Sequence, residues 1–525
     1  MELSMLSNRQ CGALVFACLC ALSPVASAND WYVDVANGNN LNDGASPATA
    51  WRTITFAVQA VPSGSVETIH IAPGLYNPVH GEVFPILLRP EQQLIGQPGG
   101  AKPILAADNL DLPVIRIAST LVNAAVFSPQ TRVENLSLRR ATTGIEVYTE
   151  AGAARPRIVD VDIENTAFFG VRVRSFGGSN APTLERVNIL PDFATQNFEC
   201  ISIEGSAGNG PEVRLERCNF IEASQAGISV LGEARLELSR CFFAETGVAF
   251  GLHGVPDAET TVLCTDSVFS YASRVVVANL DLGEARLRFE RCTMAENSNI
   301  ALASANGGTL ELEFESSIVS STGPAFVTLG NVTVNATRCL VSDGSFDGIN
   351  GCFSGDPGFR QGEDGEFRLG WGSPCIDAAL VNAPPDTRDV VGSPRDLDGN
   401  LDTLGKTDIG AYEFQPLELT TTGAIGSSLM LENWGPNAPS TIYWARTGLA
   451  SPSATPFGTF QLNSQFARPF RFTTAGASTP NVTLRPIPNQ IALVGHTFSF
   501  QALTDSPAAP LARAFTNGVE FSVTP

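Results

Sequence analysis

The chain has 525 residues and carries 53 acidic against 32 basic side chains, a formal charge of −21. So acidic a balance argues against nucleic acid as a partner, because binding phosphates requires basic patches. Forty-eight glycines and 34 prolines point to turns and strands, and the length leaves room for more than one domain.

Residues 1–28 read as a secretory signal. Arg9 precedes the apolar run 12–22, and Ala26-Ser27-Ala28 supplies the small-x-small cleavage pattern, so the mature chain is expected to start at Asn29. The expectation is a secreted or cell-surface protein. No later stretch reaches the ~18 uninterrupted apolar residues of a membrane span.

Residues 31–77 read as strand, Gly/Asn-rich turn, short helix, strand and turn. The helix covers 53–61, with Ile54, Ala57, Val58 and Val61 on one apolar stripe. It suits the cap that a solenoid needs over its first coil.

The stretch 211–251 holds one sentence twice, PEVRLERCNFIEASQAGISVLG and EARLELSRCFFAETGVAFGLHG. Each copy alternates apolar and polar residues, turns, and alternates again, which is the pattern of one coil in a stack of strands. With Cys218 as anchor, the equivalents are Leu136, Val161, Val187, Cys218, Cys241, Ser267, Cys292, Ser317 and Cys339, at spacings of 22 to 31 residues. Charges test this register independently. Arg214 should stack on Glu237, Glu212 on Arg235, Arg288 on Glu313 and Arg286 on Glu311, opposite signs in every pair. Arg132 should face Arg157. The expected fold is therefore all-β, a parallel β-helix of roughly ten or more coils.

The N-terminal words Tyr32-Val33, Asn42-Asp43-Gly44, Pro47, Arg52-Thr53-Ile54, Ala57 and Ile69-His70-Ile71-Ala72-Pro73-Gly74-Leu75-Tyr76 resemble the opening of right-handed parallel β-helix proteins of the pectate-lyase-like superfamily. Gly81 to Ile86 and Leu94-Ile95-Gly96 resemble an uncharacterised exported bacterial branch of it. Asp356-Pro357, the run 372–378 and Asp408-Ile409-Gly410-Ala411-Tyr412-Glu413 resemble the closing end of the same proteins. The resemblance implies a right-handed single-stranded β-helix with a cap and first coils over 29–130, regular coils over 131–350 and a closing segment over 351–415. Residues 417–525 carry five arginines against four acids, so the acidic excess lies upstream, and their six short alternating runs suggest a small β-sandwich over 416–525.

Eight of the 11 cysteines lie beyond the signal. Cys218, Cys241, Cys292 and Cys339 share one repeat position and read as small buried core residues. Cys352 and Cys375 flank a loop in the closing segment and are the expected disulfide pair.

The superfamily contains polysaccharide lyases, glycoside hydrolases and pectin esterases, so the resemblance raises the expectation of enzyme motifs. The glycosidase words Asn-Thr-Asp, Asp-Asp, Gly-His-Gly and Arg-Ile-Lys do not occur, and four histidines, at 70, 80, 253 and 496, assemble no triad or metal cluster. His70 alternates with Ile69 and Ile71 and reads as an outward structural side chain. A lyase needs carboxylates for Ca²⁺ and a base for the proton beside the uronate carboxyl. Glu146, Arg172 and Arg174 on successive Gly-Ile strands, with Asp192 and Glu199 from the long coil, form the one cluster of that type; the plainer reading is an ordinary charged exterior. Asp396, Asp398, Asn400, Asp402 and Asp408 space oxygens as Ca²⁺ loops do, and a turn built on Asx hydrogen bonds explains them without metal. Two readings follow. One is an exported, non-catalytic surface or matrix protein, monomeric, that binds a polysaccharide or cell-envelope component and requires no cofactor. The other is a Ca²⁺-dependent polysaccharide lyase or a glycoside hydrolase.

A last expectation concerns the outward residue of the Gly-Ile strand. Read as Glu146, Arg172, Ser202, Ser229, Ala249, Val276, Ala301 and Phe326, it drifts from charged to apolar. An apolar outer stripe calls for cover, so the closing segment or the C-terminal module should lie over the later coils.

Overall fold

The computed structural model describes residues 29–62, 64–190, 198–360, 367–384 and 386–525. Residues 1–28, where a signal is expected, and Asp192 lie outside the described residues. Between Asn29 and Val341 the strands form one continuous parallel ladder of 28 strands, wound as a right-handed β-helix of roughly ten coils. Each coil contributes to three faces. The first sheet runs from Asn29–Val33 and Glu67–Ile71 through Glu284–Glu290 to residues 309–315 and 332–337, the second contains Asn219–Ile221 and Phe242–Ala244, and the third contains Glu199–Gly205 and Ala226–Gly232.

All nine anchor residues are fully buried. The expected stacks are the observed ones: Arg214 pairs with Glu237 and Glu212 with Arg235, while Arg288 pairs with Glu313 and Arg286 with Glu311. Arg132 faces Arg157. Two positions beyond the anchor, phenylalanines form an internal column. Phe220, Phe243 and Phe269 follow at centroid distances of 4.7 and 4.8 Å, and three positions before the anchor Phe289 stacks on Phe314 at 5.2 Å.

The corner before each anchor is turned by one residue in the left-handed region. Asn135, Asp160, Arg186, Arg217, Arg240, Asp266, Arg291, Ser316 and Arg338 hold φ between 47° and 55°. A side chain there costs on the order of 1–2 kcal/mol. Ion pairs between coils offset part of that cost: Arg186 donates to Asp160 at 2.6 and 2.8 Å, and Arg291 to Asp266 at 2.9 and 3.1 Å.

The expected helix is α1, Ile54–Ala60, with Thr53 as its N-cap. Glu82 accepts from the Ile54 and Thr55 amides at 2.6 and 2.9 Å, which answers the unpaired donors and the dipole of that end. Trp31 stacks on Trp51 at 5.2 Å beside it. His70 points outward, 2.8 Å from Asp30 and stacked on Tyr32.

The outer stripe of the third sheet corrects one expectation. Ser229 pairs with Gly251, Gly251 with Val277, Val277 with Leu302 and Leu302 with Val327, so those are the outward residues. Ala249, Val276 and Ala301 are fully buried, and Phe326 packs on the core. The reason is a corner at which two successive residues both face inward, as in Cys200-Ile201, Ala249-Phe250 and Ile300-Ala301. A reading that counts one inward residue slips, and a slip of one changes the face of every later side chain. The true stripe is also apolar at its end, and it is not covered: Leu302 is 37% and Val327 43% exposed.

Cover lies instead on the second sheet. Its outward row is Asp162, Asn188, Asn219, Phe242, Val268, Thr293, Ile318 and Leu340. From Val268 onward this row is buried beneath the closing segment, where Phe367, Ala411 and Tyr412 pack on Val268 and Ala295, and Leu369 and Ile409 on Ile318 and Leu340. The word at 408–413 makes this contact. Gly410 has φ 102°, and a Cβ there would sit 2.8 Å from Ile318 Cδ1, so only glycine permits the approach. The Gly410 amide donates to Ser316 O at 2.9 Å and the Ala411 amide to Thr293 Oγ1 at 2.8 Å.

All six alternating runs beyond residue 417 are strands. They build a three-stranded antiparallel sheet, Leu417–Thr421, Ser428–Asn433 and Asn481–Pro486, facing a five-stranded one. Leu417, Leu429 and Leu431 meet Ile442, Phe500 and Ala502 between them. The module packs on the closing segment through Trp434 against Phe414 and through Arg360, paired with Glu418.

Candidate functional site

The third sheet places Glu146, Arg172 and Arg174 on one outward face, because Arg172 pairs in register with Glu146 and with Ser202, and Arg174 with Glu204. Two further residues complete the cluster. Arg116, one coil before Glu146, donates to Glu146 Oε2 at 2.5 Å, and Arg174 Nη1 lies 3.9 Å from Oε1 of the same carboxylate. Glu204 receives Arg172 Nε at 3.1 Å and Arg174 Nε at 3.0 Å. Burial alone would raise the Glu204 carboxyl, but the Arg172 hydrogen bond and the charges of Arg172 and Arg174 hold it below the ordinary range.

The guanidinium planes rest on rings. Arg172 lies 4.8 Å from the centroid of Phe169, and Arg174 lies between Tyr148 and Phe176 at 5.5 and 5.1 Å. Such pairs hold arginine heads in place while one edge stays open to a ligand. Phe168 and Phe176 are 47% and 46% exposed, which adds flat apolar surface beside the charges.

Glu199 sits deeper in the same sheet, opposite Phe169 and Ala226. Burial raises its carboxyl above the usual value, against the pull of hydrogen bonds from Ser202 and Ser229 and of the charges on His253 and Arg172. Its carboxyl therefore tends toward the neutral form. Arg116 and Glu204 were absent from the sequence reading; the signal that finds them is the residue paired with Glu146 one coil earlier and with Arg174 one coil later.

The run 396–408 turns its oxygens on its own backbone. Asp398 accepts from the Asp402 and Thr403 amides at 2.9 and 2.8 Å, Asn400 from Asp402 at 2.9 Å and Asp402 from Leu404 at 2.8 Å. Asp408 accepts from the Asp377 and Phe414 amides at 2.7 and 2.6 Å. Among the described residues, no three His, Cys, Asp or Glu side chains are gathered so as to hold a metal ion. Asp396 is exposed and joins no such group.

Cys352 and Cys375 are both free thiols, in separate cores. The neighbour of Cys352 is Cys339, whose amide donates to Cys352 Sγ at 3.4 Å. No helix among the described residues is long and apolar enough to cross a membrane.

A family profile described as "Protein of unknown function (DUF1565)" matches residues 36–119, the cap and first coils. No curated protein matches the chain. Among solved structures it is similar to a pectate lyase at 16% identity, over 74% of this chain and 98% of that one, with a TM-score of 0.49. It is also similar to a rhamnogalacturonan lyase at 14% identity, over 64% and 91%, with a TM-score of 0.46. An endo-xylogalacturonan hydrolase from Aspergillus tubingensis follows at 13% identity, over 62% and 99%, with a TM-score of 0.28. By its own strand pairing, the chain is a right-handed parallel β-helix with a capped first coil and a closing segment.

Proposed function

We propose that the chain is an exported, non-catalytic β-helix protein that binds a polysaccharide across the early coils of the third sheet. The observation that carries this reading is the state of the two outward carboxylates. Glu146 and Glu204 are each held by guanidinium groups from two arginines, and two of those arginines lie over aromatic rings. A carboxylate so engaged has its oxygens turned to guanidinium groups rather than to a metal ion or a substrate proton, whereas the pre-positioned arginine edges and exposed rings suit sugar hydroxyls, sugar carboxylates and the apolar faces of pyranose rings.

The alternative, a Ca²⁺-dependent lyase or a glycoside hydrolase, draws on Glu199, whose raised pKa beside Arg172 and His253 suits a general acid. The test is a panel of acidic and neutral polysaccharides, with and without Ca²⁺. Retention of one without new unsaturated or reducing ends, weakened at least tenfold by Arg174→Ala, supports binding; turnover supports the alternative.

A further inference from the structure

A second cleft opens on the second sheet at the step where its outward row changes from Asn219 to Phe242. It has a volume of about 490 Å³, within the range of small-molecule sites. One wall is polar. Lys102 donates to Asp162 at 2.7 Å, Asn188 to Asp162 at 2.8 Å and Asn219 to Asn188 Oδ1 at 2.7 Å, a ladder that leaves Asn219 Oδ1 as its open acceptor. The other wall is apolar, formed by Phe242, Val390 and Tyr412 where the closing segment begins its cover.

The rim is built to stay in place. Residues 388–394 form a tight turn pinned by buried Asp389, which accepts from the Val391, Ser393 and Glu413 amides at 3.1, 2.6 and 3.0 Å. Opposite it stand two arginines of the left-handed corner row. Arg240 is neutralised by Glu216, whereas exposed Arg217 has no carboxylate partner among the described residues. Asp162 is likewise neutralised by Lys102. The cleft therefore presents one uncompensated cation on a chain whose formal charge is −21.

We infer that this cleft is a binding site for a carboxylated sugar, a uronate residue of an oligosaccharide, with its carboxylate on Arg217, a hydroxyl donating to Asn219 Oδ1 and its apolar ring face on half-buried Phe242 and Val390. One guanidinium matches one carboxylate bidentately. A phosphate dianion would want more positive charge than the cleft holds, and a wholly apolar ligand would leave Arg217 and Asn219 unanswered. The inference stands apart from the third-sheet reading, since no residue is shared.

The experiment is calorimetric titration of the mature full-length chain with trigalacturonate, its methyl ester and inorganic phosphate. Arg174→Ala serves as background, so that binding at the third sheet is weakened. The free acid is expected to bind at least tenfold more tightly than the ester, to weaken with salt, and to lose that preference in Arg217→Gln, a variant that changes no buried contact. Equal affinity for acid and ester, an unchanged preference in Arg217→Gln, or phosphate competing as strongly as trigalacturonate would each overturn the assignment.

Discussion

The outward row of the second sheet is one line of residues with two fates. Over its early coils it is Asp162, Asn188 and Asn219, linked by hydrogen bonds and open to solvent; over its late coils it is Val268, Thr293, Ile318 and Leu340, buried beneath the closing segment. The third sheet shows that apolarity alone does not bring cover, because Leu302 and Val327 are apolar and remain partly exposed. Cover needs a second half: Gly410 for the close approach, backbone donors aimed at Thr293 and Ser316, and a buried cation, Arg395, reaching Asp266 at 2.7 Å.

The strongest way to break this arrangement is to remove that cation. Arg395 is 1% exposed and lies between Asp266 and Glu413. Arg395→Ala should destabilise by about 3–5 kcal/mol, measured by denaturant unfolding, with faster hydrogen exchange in Val268–Ser270 and Thr293–Asn297 but not in Asn188–Leu190. Equal protection in both regions would show that the latch is elsewhere.

Exchanging characters along the row gives a smaller effect. Val268→Asn strands an amide under the closing segment and loses apolar burial, about 2–4 kcal/mol. Asn188→Val only interrupts the exposed ladder, about 1 kcal/mol. Similar costs at the two sites would remove the distinction between the halves.

Acidity should act most strongly on the closing segment. Burial pushes the carboxyl pKa of Asp408 up to about 8, of Asp377 to about 7 and of Asp398 to about 6, against the hydrogen bonds each accepts from backbone amides. A folded pKa above the unfolded one means that the folded state holds the proton more tightly. The stability contribution is therefore complete below pH ~4, the unfolded carboxyl range, and is lost as pH rises through 6 to 8. Thermal unfolding followed by Trp371 and Trp434 fluorescence should begin several degrees lower at pH 8 than at pH 5, and a flat profile would contradict it.

The smallest effect belongs to the first sheet, where charge pairs stand in water. Arg288 lies 2.6 Å from Glu290, 2.8 Å from Glu315 and 3.8 Å from Glu313. Arg288→Glu should cost about 0.5–1 kcal/mol, and Glu313→Arg in the same chain should restore part of it, since two other glutamates remain.

The coils were legible because a buried position repeats: Cys218, Cys241 and Ser267 mark it whatever stands between them, and the charges on Arg214 and Glu237 check it from the opposite face. The corner residues were not legible. Arg186, Arg240 and Arg291 adopt a backbone conformation for which arginine has no preference, and only the neighbouring coil's carboxylate favours them there. The third-sheet stripe was misplaced from Ala249 onward because two inward residues at a corner look, in sequence, like one alternation begun a residue late. Glu146, Arg172 and Arg174 were legible as a charged group. Their pairing with Arg116 and Glu204, which decides what the carboxylates can do, required the register of the long coil.

The most direct test of the account is product analysis of an oligouronate and a neutral polysaccharide incubated with the mature chain, with and without Ca²⁺, alongside Glu199→Gln. The account predicts ligand retained and recovered intact in every sample. New unsaturated or reducing ends formed by the natural chain and abolished by Glu199→Gln would contradict it, and would make the third sheet an active site.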